Sequence, residues 1–363
     1  MSFLIVALVA IAVIAVLAVG IKWYLGGEDL SRFDTETGQR FASDRAPSAG
    51  IAAAVKRMTP SAVAKNAKPR TRRLAMLRDE FDNMFADHAL DASFMPIAAE
   101  GVRGEWVLAP GADPSRRLLY LHGGGFVYGS PLSHRTITVR LSELSGGAVL
   151  ALDYRLMPEH KRMDGVEDSR NAYRWMLEHG PDGASPAQAV FVSGDSAGAN
   201  LTLSLLAWVR DQGLRAADAA VALSPPTDTT LSSPSIRANL ASDLMLGPHV
   251  SFLGWVPRTL TMLFTWLHTG VKPSDPVVSP VFGDLSNLPP VLVHVSETEL
   301  LFDDARRYVN RARAAGSPAT LQSWNHTLHV WHVFNPELPE AREAFDEIGK
   351  FLAAAAQQRR AAA

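Results

Sequence analysis

Val190-Phe191-Val192-Ser193-Gly194-Asp195-Ser196-Ala197-Gly198-Ala199-Asn200 is the stretch that decides the fold. An apolar β-rich run ends in G-x-S-x-G, and from Ala199 onward the pattern is helical. A serine at a tight strand-to-helix turn has its hydroxyl exposed, provided that Gly194 and Gly198 leave room for close backbone approach. The start of the helix then offers the N–H of Ala197 to a developing negative charge. The competing reading is a purely structural turn, but a G-x-S-x-G bracketed by strand and helix is much rarer than the bare motif.

Some seventy residues upstream, Leu121-His122-Gly123-Gly124-Gly125-Phe126 directly follows another strand-like run. Consecutive glycines leave backbone N–H groups unobstructed and free to adopt positive φ. Such donors can face a carbonyl oxygen as it becomes negative. The alternatives are a flexible turn or a phosphate-binding loop, yet neither G-x-G-x-x-G spacing nor a Walker lysine is present.

Around these two segments, short β-rich runs alternate with longer helical ones. Residues 117–121, 148–153, 189–193, 219–223, 291–296 and 320–324 read as strands, and 133–144, 166–179, 197–210 and 300–315 as helices. Continuous apolar strands alternating with helices predict a mostly parallel sheet covered on both faces. Residues 72–90 also carry helical spacing. Residues 225–290 break the rhythm and read as a cap, with an apolar segment over 252–267 that is too short, and too interrupted by Pro257 and Arg258, for a membrane span.

A nucleophilic serine needs a base, and the base an orienting acid. The histidines after Ser196 are His249, His268, His294, His326, His329 and His332; the last three follow the final strand, where a loop at the sheet's C-terminal edge would deliver a base. Their spacing of three could suggest metal, but no local carboxylate or H-E-x-x-H joins them, so neither metal nor cofactor is expected. Glu297, Glu299, Asp303 and Asp304 all follow the strand at 291–296, and spacing alone does not choose the acid among them.

The chain resembles the hormone-sensitive-lipase-like branch of the α/β-hydrolases, which includes bacterial carboxylesterases and arylacetamide deacetylases. The likeness rests on His122-Gly123-Gly124-Gly125-Phe126, on Asp153-Tyr154-Arg155-Leu156-Met157-Pro158-Glu159-His160 and on Gly194-Asp195-Ser196-Ala197-Gly198. It continues through Ser224-Pro225, Asp275-Pro276, Ser279-Pro280, Glu299-Leu300-Leu301 and the segment from Trp324 to His329. The resemblance implies an α/β-hydrolase fold with a helical cap, Ser196 as nucleophile, Glu299 as acid and His329 as base. It also implies an oxyanion hole of the N–H groups of Gly124, Gly125 and Ala197, with Asp195 and Asn200 in support. Glu297 remains a rival acid, and His326 and His332 rival bases. Lys161-Arg162-Met163-Asp164 stands where the family often has Phe-Pro-Ala, a departure that bears on local packing.

Composition fits these expectations. The chain has 363 residues, 47% hydrophobic and 20% charged, with a net charge of −2, which gives no basic field for nucleic acid. It has no cysteine, which excludes disulfides and a thiol nucleophile. Phe3 to Ile21 is a run of 19 uncharged, apolar residues followed by Lys22, Trp23 and Tyr24. As a helix it would span about 29 Å, which predicts a single transmembrane anchor over residues 1–25 rather than a cleaved signal. Seven basic residues and no acid over 56–73 lean toward a cytoplasmic catalytic domain. The expected organisation is the anchor, a linker and N-terminal helical segment over 26–74, a catalytic domain over 75–357 with its cap at 226–275, and a tail at 358–363, with the low-complexity run 353–363 expected to fray.

The expected activity is hydrolysis of short-to-medium acyl or otherwise apolar esters through an acyl-enzyme. The alternatives are an amide deacylase of the same family and a catalytically silent, membrane-tethered binding protein. Cap residues Leu246, Phe252, Leu253, Trp255, Leu260, Leu263, Phe264 and Trp266 read either as an apolar substrate pocket or as the cap's own core. Monomer and dimer are both open.

Overall fold

The computed structural model describes residues 2–41, 46–99 and 101–362, without the side chains of residues 2–4, 8–15, 17 and 359–362. Nine strands form one sheet: β1 (Gln39–Phe41), β2 (Ser93–Ala99), β3 (Val102–Leu108), β4 (Asp113–Leu121), β5 (Gly147–Leu152), β6 (Ala189–Asp195), β7 (Ala219–Leu223), β8 (Val291–Ser296) and β9 (Ala319–Trp324). Their order is β1-β9-β8-β7-β6-β4-β5-β3-β2. Every pairing is parallel except β2 with β3 and β3 with β5.

The central strands are buried along their whole length, because helices cover both faces. Leu119, Leu121, Val190 and Val192 pack on one side with the helices Arg162–Glu178, Ala197–Asp211 and Phe302–Ala314. Leu118, Tyr120, Phe191 and Val221 point to the other side, against Arg135–Ser145 and Pro339–Ala362. This alternation of adjacent residues between two cores is the strand period made visible.

The six expected strands are β4 to β9, with small shifts at their ends. The antiparallel pair β2–β3 was not expected. β2 is half exposed and carries Pro96, which an edge strand tolerates, so it lacks the continuous apolar signature of its neighbours. The helical pattern at 72–90 yields a helix only over Arg70–Asp82. The C-terminal stretch is corrected more strongly: residues expected to fray belong to the helix Pro339–Ala362. Alanine favours helix, and Leu352 and Ala355 are buried against the sheet.

Ser2–Leu25 is helical. Among the described residues no helix is long and apolar enough to cross a membrane. Most side chains of the expected anchor lie outside the described residues, so it stands on sequence alone. Residues 26–41, read as linker, are docked rather than free. Arg307 grips the Asp34 carboxylate at 2.6 and 2.8 Å, the Asn310 amide donates to the carbonyls of Phe33 and Thr35, both at 2.9 Å, and β1 extends the sheet beside β9.

Between β7 and β8 the chain leaves the sheet's C-terminal edge and forms the short helices Ser235–Ala238 and Gly247–Val250 and the longer Arg258–Thr269. Ile236 and Leu253 from this insertion pack on Leu300 and Leu301.

Candidate active site

β6 ends at Asp195 and a helix begins at Ala197, so Ser196 occupies the corner, with φ +49° and ψ −118°. A non-glycine residue in such a conformation costs about 1–3 kcal/mol and persists only where its surroundings enforce it. Here the Ser196 N–H donates to the Leu223 carbonyl at 2.7 Å. A Cβ on Gly194 would lie 2.6 Å from the Leu121 carbonyl oxygen, and one on Gly198 would collide with that same oxygen. The corner therefore closes only around glycine at both places.

His329 Nε2 lies 2.9 Å from Ser196 Oγ, and its Nδ1 lies 3.0 Å from Glu299 Oε2. With Nδ1 protonated toward the carboxylate, Nε2 is left to accept the serine proton; the neighbours assign this tautomer. The Ser224 hydroxyl donates to the same carboxylate oxygen at 3.0 Å and accepts from the Val330 N–H at 3.2 Å, tying the acid to the histidine's loop. Burial pushes the Glu299 carboxyl above its ordinary value, against the pull of His329. Burial alone would push His329 down, but the Glu299 charge and hydrogen bond, with the charges of Asp243 and Asp195, together hold the imidazole above its ordinary value.

The other candidates are engaged elsewhere. Glu297 pairs with Arg40 at 3.0 Å and accepts from Ser323 Oγ at 2.8 Å. Asp303 pairs with Arg306, and Asp304 accepts from the N–H groups of Thr227 and Asp228. His332 Nε2 sits 3.1 Å from His294 Nδ1, in a buried pair whose other end meets Gln322. The three histidines of the loop thus do not converge, and among the described residues no group of three potential ligands is arranged to hold a metal ion.

The insertion grips the loop that carries Glu299. The Asn239 side-chain amide donates to the carbonyls of Glu297 and Glu299 at 3.0 and 2.8 Å, and Ser242 Oγ donates to the Thr298 carbonyl at 3.0 Å. The buried Asp243 carboxylate accepts from the Leu300 N–H at 2.9 Å. None of these three was singled out in the sequence, where short polar residues in an irregular segment carry no signal.

The glycine loop follows β4. Gly124 and Gly125 have φ of +107° and +62°. The Gly124 carbonyl accepts from the N–H groups of Val127 and Tyr128 at 3.1 and 2.9 Å, closing a turn. The N–H groups of Gly124 and Gly125 have no acceptor among the described residues. Gly123 N–H donates to Asp195 Oδ1 at 2.8 Å, and a Cβ on Gly123 would run into that carboxylate. Tyr120 donates to the same oxygen at 2.6 Å, and His134 Nε2 faces the other at 3.4 Å. Burial would push the Asp195 carboxyl up, but the charge of His134 and these hydrogen bonds hold it below its ordinary value. A fixed anion inside the elbow therefore anchors the glycine loop.

The departing segment at 161–164 has a structural use. Arg162 is buried, stacks its guanidinium 3.7 Å from the Phe126 ring centre and donates to Asn200 Oδ1 at 2.7 Å. Burial lowers its pKa to about 10. Asn200 in turn donates to the carbonyls of Pro226 and Val278, both at 2.8 Å, where the insertion leaves and rejoins the body.

Residues 118–333 match the family described as having the alpha/beta hydrolase fold. An acetyl-hydrolase of Streptomyces hygroscopicus is 40% identical over 248 residues, which cover 68% of this chain and 78% of that protein. An esterase of Acinetobacter venetianus is 32% identical over 70% of this chain and 80% of its own length. The crystal structure of an esterase from the bacterial hormone-sensitive lipase family superposes with a TM-score of 0.71 at 35% identity, covering 85% of this chain and 98% of that one. Sequence and fold agree, and the chain belongs to the hormone-sensitive-lipase-like branch of the α/β-hydrolases, as an enzyme of the esterase type.

Proposed function

We propose that the chain hydrolyses short-to-medium acyl or otherwise apolar carboxylic esters through an acyl-enzyme on Ser196. The observation that carries this reading is the continuous hydrogen-bonded line from Ser196 Oγ through His329 to Glu299, with contacts of 2.9 and 3.0 Å. His329 Nε2 takes the hydroxyl proton as Oγ bonds to the acyl carbon, and the carbonyl π electrons move onto oxygen. The N–H groups of Gly124, Gly125 and Ala197 receive that oxyanion; a donor of this kind is worth about 3 kcal/mol in the transition state. Collapse breaks the acyl–oxygen bond, and His329 returns its proton to the leaving alcohol. A water, deprotonated by the same nitrogen, then attacks the acyl-enzyme and releases the acid. Glu299 keeps the imidazole in its productive tautomer and stabilises the imidazolium.

The name of the Streptomyces relative, acetyl-hydrolase, supports the short end of the acyl range. Rates across an acyl-length series of p-nitrophenyl esters are expected to peak at short to medium chains. Ser196→Ala is expected to lower kcat by roughly 10⁵–10⁶-fold with the fold intact by circular dichroism. Near-wild-type turnover by that variant overturns the mechanism.

Residues 226–275 are read as the cap of this site. Residues 3–21 are read, from their sequence, as a membrane anchor, with the basic stretch at 56–73 favouring a cytoplasmic catalytic domain. Release of the chain from membranes by alkaline carbonate alone, without detergent, overturns the anchor.

A further inference from the structure

The cap wears its apolar side outward. In the helix Arg258–Thr269, Thr261 and Met262 are buried, whereas Leu260, Phe264 and Leu267 are 54%, 69% and 71% exposed. Their spacing of four and three places them on one face of the helix. Trp255, just before the helix, is 78% exposed. For Trp255, Leu260 and Phe264 both expected readings, a substrate pocket and the cap's own core, are thereby corrected, since these side chains face solvent. A soluble surface rarely leaves large apolar side chains exposed along one helix face.

Three further features say what this face meets. No aspartate or glutamate occurs between Asp243 and Asp275, while Lys272 and the exposed Lys22 supply positive charge; the Arg258 guanidinium is turned inward, onto the Thr230 carbonyl and hydroxyl at 2.6 and 2.7 Å. The apolar surface continues onto the end of the N-terminal helix: the rings of Tyr24 and Trp266 meet edge to face at 5.9 Å, and Arg258 donates to the Gly26 carbonyl at 3.3 Å. There Trp23 is 84% exposed, and Lys272 Nζ stands 5.1 Å from the Tyr24 ring centre. Exposed tryptophans and aliphatic side chains flanked by lysines form the pattern of a surface that settles at the headgroup level of a bilayer; Glu28 and Asp29 follow at its edge, after Gly27.

We infer that the outward face of the cap docks on an anionic lipid bilayer, so that the enzyme draws esters dissolved in that bilayer. The docking surface stands whether or not residues 3–21 cross the membrane; the choice of substrate source rests on the esterase reading above. A second copy of the chain is the competing occupant.

The absence of cysteine makes a direct test simple. In the full chain, Phe264→Cys carries an environment-sensitive fluorophore, and Asp182→Cys is the control, exposed in the loop before β6 at the opposite edge of the sheet. On vesicles of phosphatidylcholine and phosphatidylserine, the label at 264 is expected to shift to the blue and to be quenched by brominated acyl chains, while the label at 182 stays in water. A label at 264 that remains accessible to aqueous iodide overturns the proposal. So does one that shifts without lipid, in step with a concentration-dependent dimer.

The second arm replaces Leu260, Phe264 and Leu267 together by serine. Hydrolysis of a vesicle-dissolved ester is expected to fall about tenfold or more, while a water-soluble p-nitrophenyl ester is turned over as before. Equal effects on the two substrates overturn the docking. Loss of turnover by Ser196→Ala on the soluble ester tests the catalytic reading separately.

Discussion

His329 can act as a base only while its Nε2 is unprotonated, and Glu299 sets the pH at which that holds. Because the charge and hydrogen bond of Glu299, with the charges of Asp243 and Asp195, together outweigh burial, the imidazole keeps its proton to a higher pH than a free histidine, whose ordinary value is 6.5. As pH falls through this raised value the base is lost, so kcat/KM is expected to drop on the acid side with a midpoint above 6.5. Glu299→Gln removes the charge and should move that midpoint downward while lowering kcat by about 10⁴-fold. A pH–rate profile of both proteins reads the two effects. At this scale the sequence was most legible where the backbone itself imposes the residue: the corner at Ser196 admits only glycine two positions to either side, and the glycine loop after β4 takes positive φ at Gly124 and Gly125. It was least legible where two like side chains sit two positions apart. Glu297 and Glu299 differ only in which way one turn after β8 aims them, toward Arg40 and Ser323 or toward His329.

At the scale of the element, two glycines of the site separate crowding from conformation. Gly198 lies at the start of the elbow helix against the Leu121 and His122 carbonyls, so Gly198→Ala forces β4 and that helix apart. Its expected cost is about 3 kcal/mol or more, read as a fall in the urea midpoint. Gly125 has open space where a Cβ would go, and only its φ of +62° resists a side chain. Gly125→Ala should cost about 1–2 kcal/mol of stability and show its main effect in kcat, through a displaced donor. The buried parallel strands announced themselves as unbroken apolar runs because helices cover both of their faces. β2 and β3 did not, being an edge pair with one strand half in water. The first half of Pro339–Ala362 does carry helical spacing, with Ala341, Phe345, Ile348 and Leu352 on one buried face, and was passed over; only the alanine run after Leu352 lacks amphipathic contrast.

On the scale of the whole molecule, the N-terminal segment behaves as part of the body. Arg307 is buried with its guanidinium on Asp34, so Arg307→Ala leaves that carboxylate only the longer contact with Arg306 at 3.8 Å and loosens residues 28–41 on the helix Phe302–Ala314. The expected loss is about 2–3 kcal/mol in chemical denaturation, with limited proteolysis cutting first in that segment. Long-range attachments of this kind were invisible to local pattern, since a polar stretch reads as linker until its partners are known.

The grip of Asn239, Ser242 and Asp243 on the acid's loop has a kinetic consequence. Four hydrogen bonds join these side chains to the chain around Glu299, so a change that shifts residues 239–243 is expected to reach kcat through the aim of that carboxylate at His329, although none of the three touches the serine.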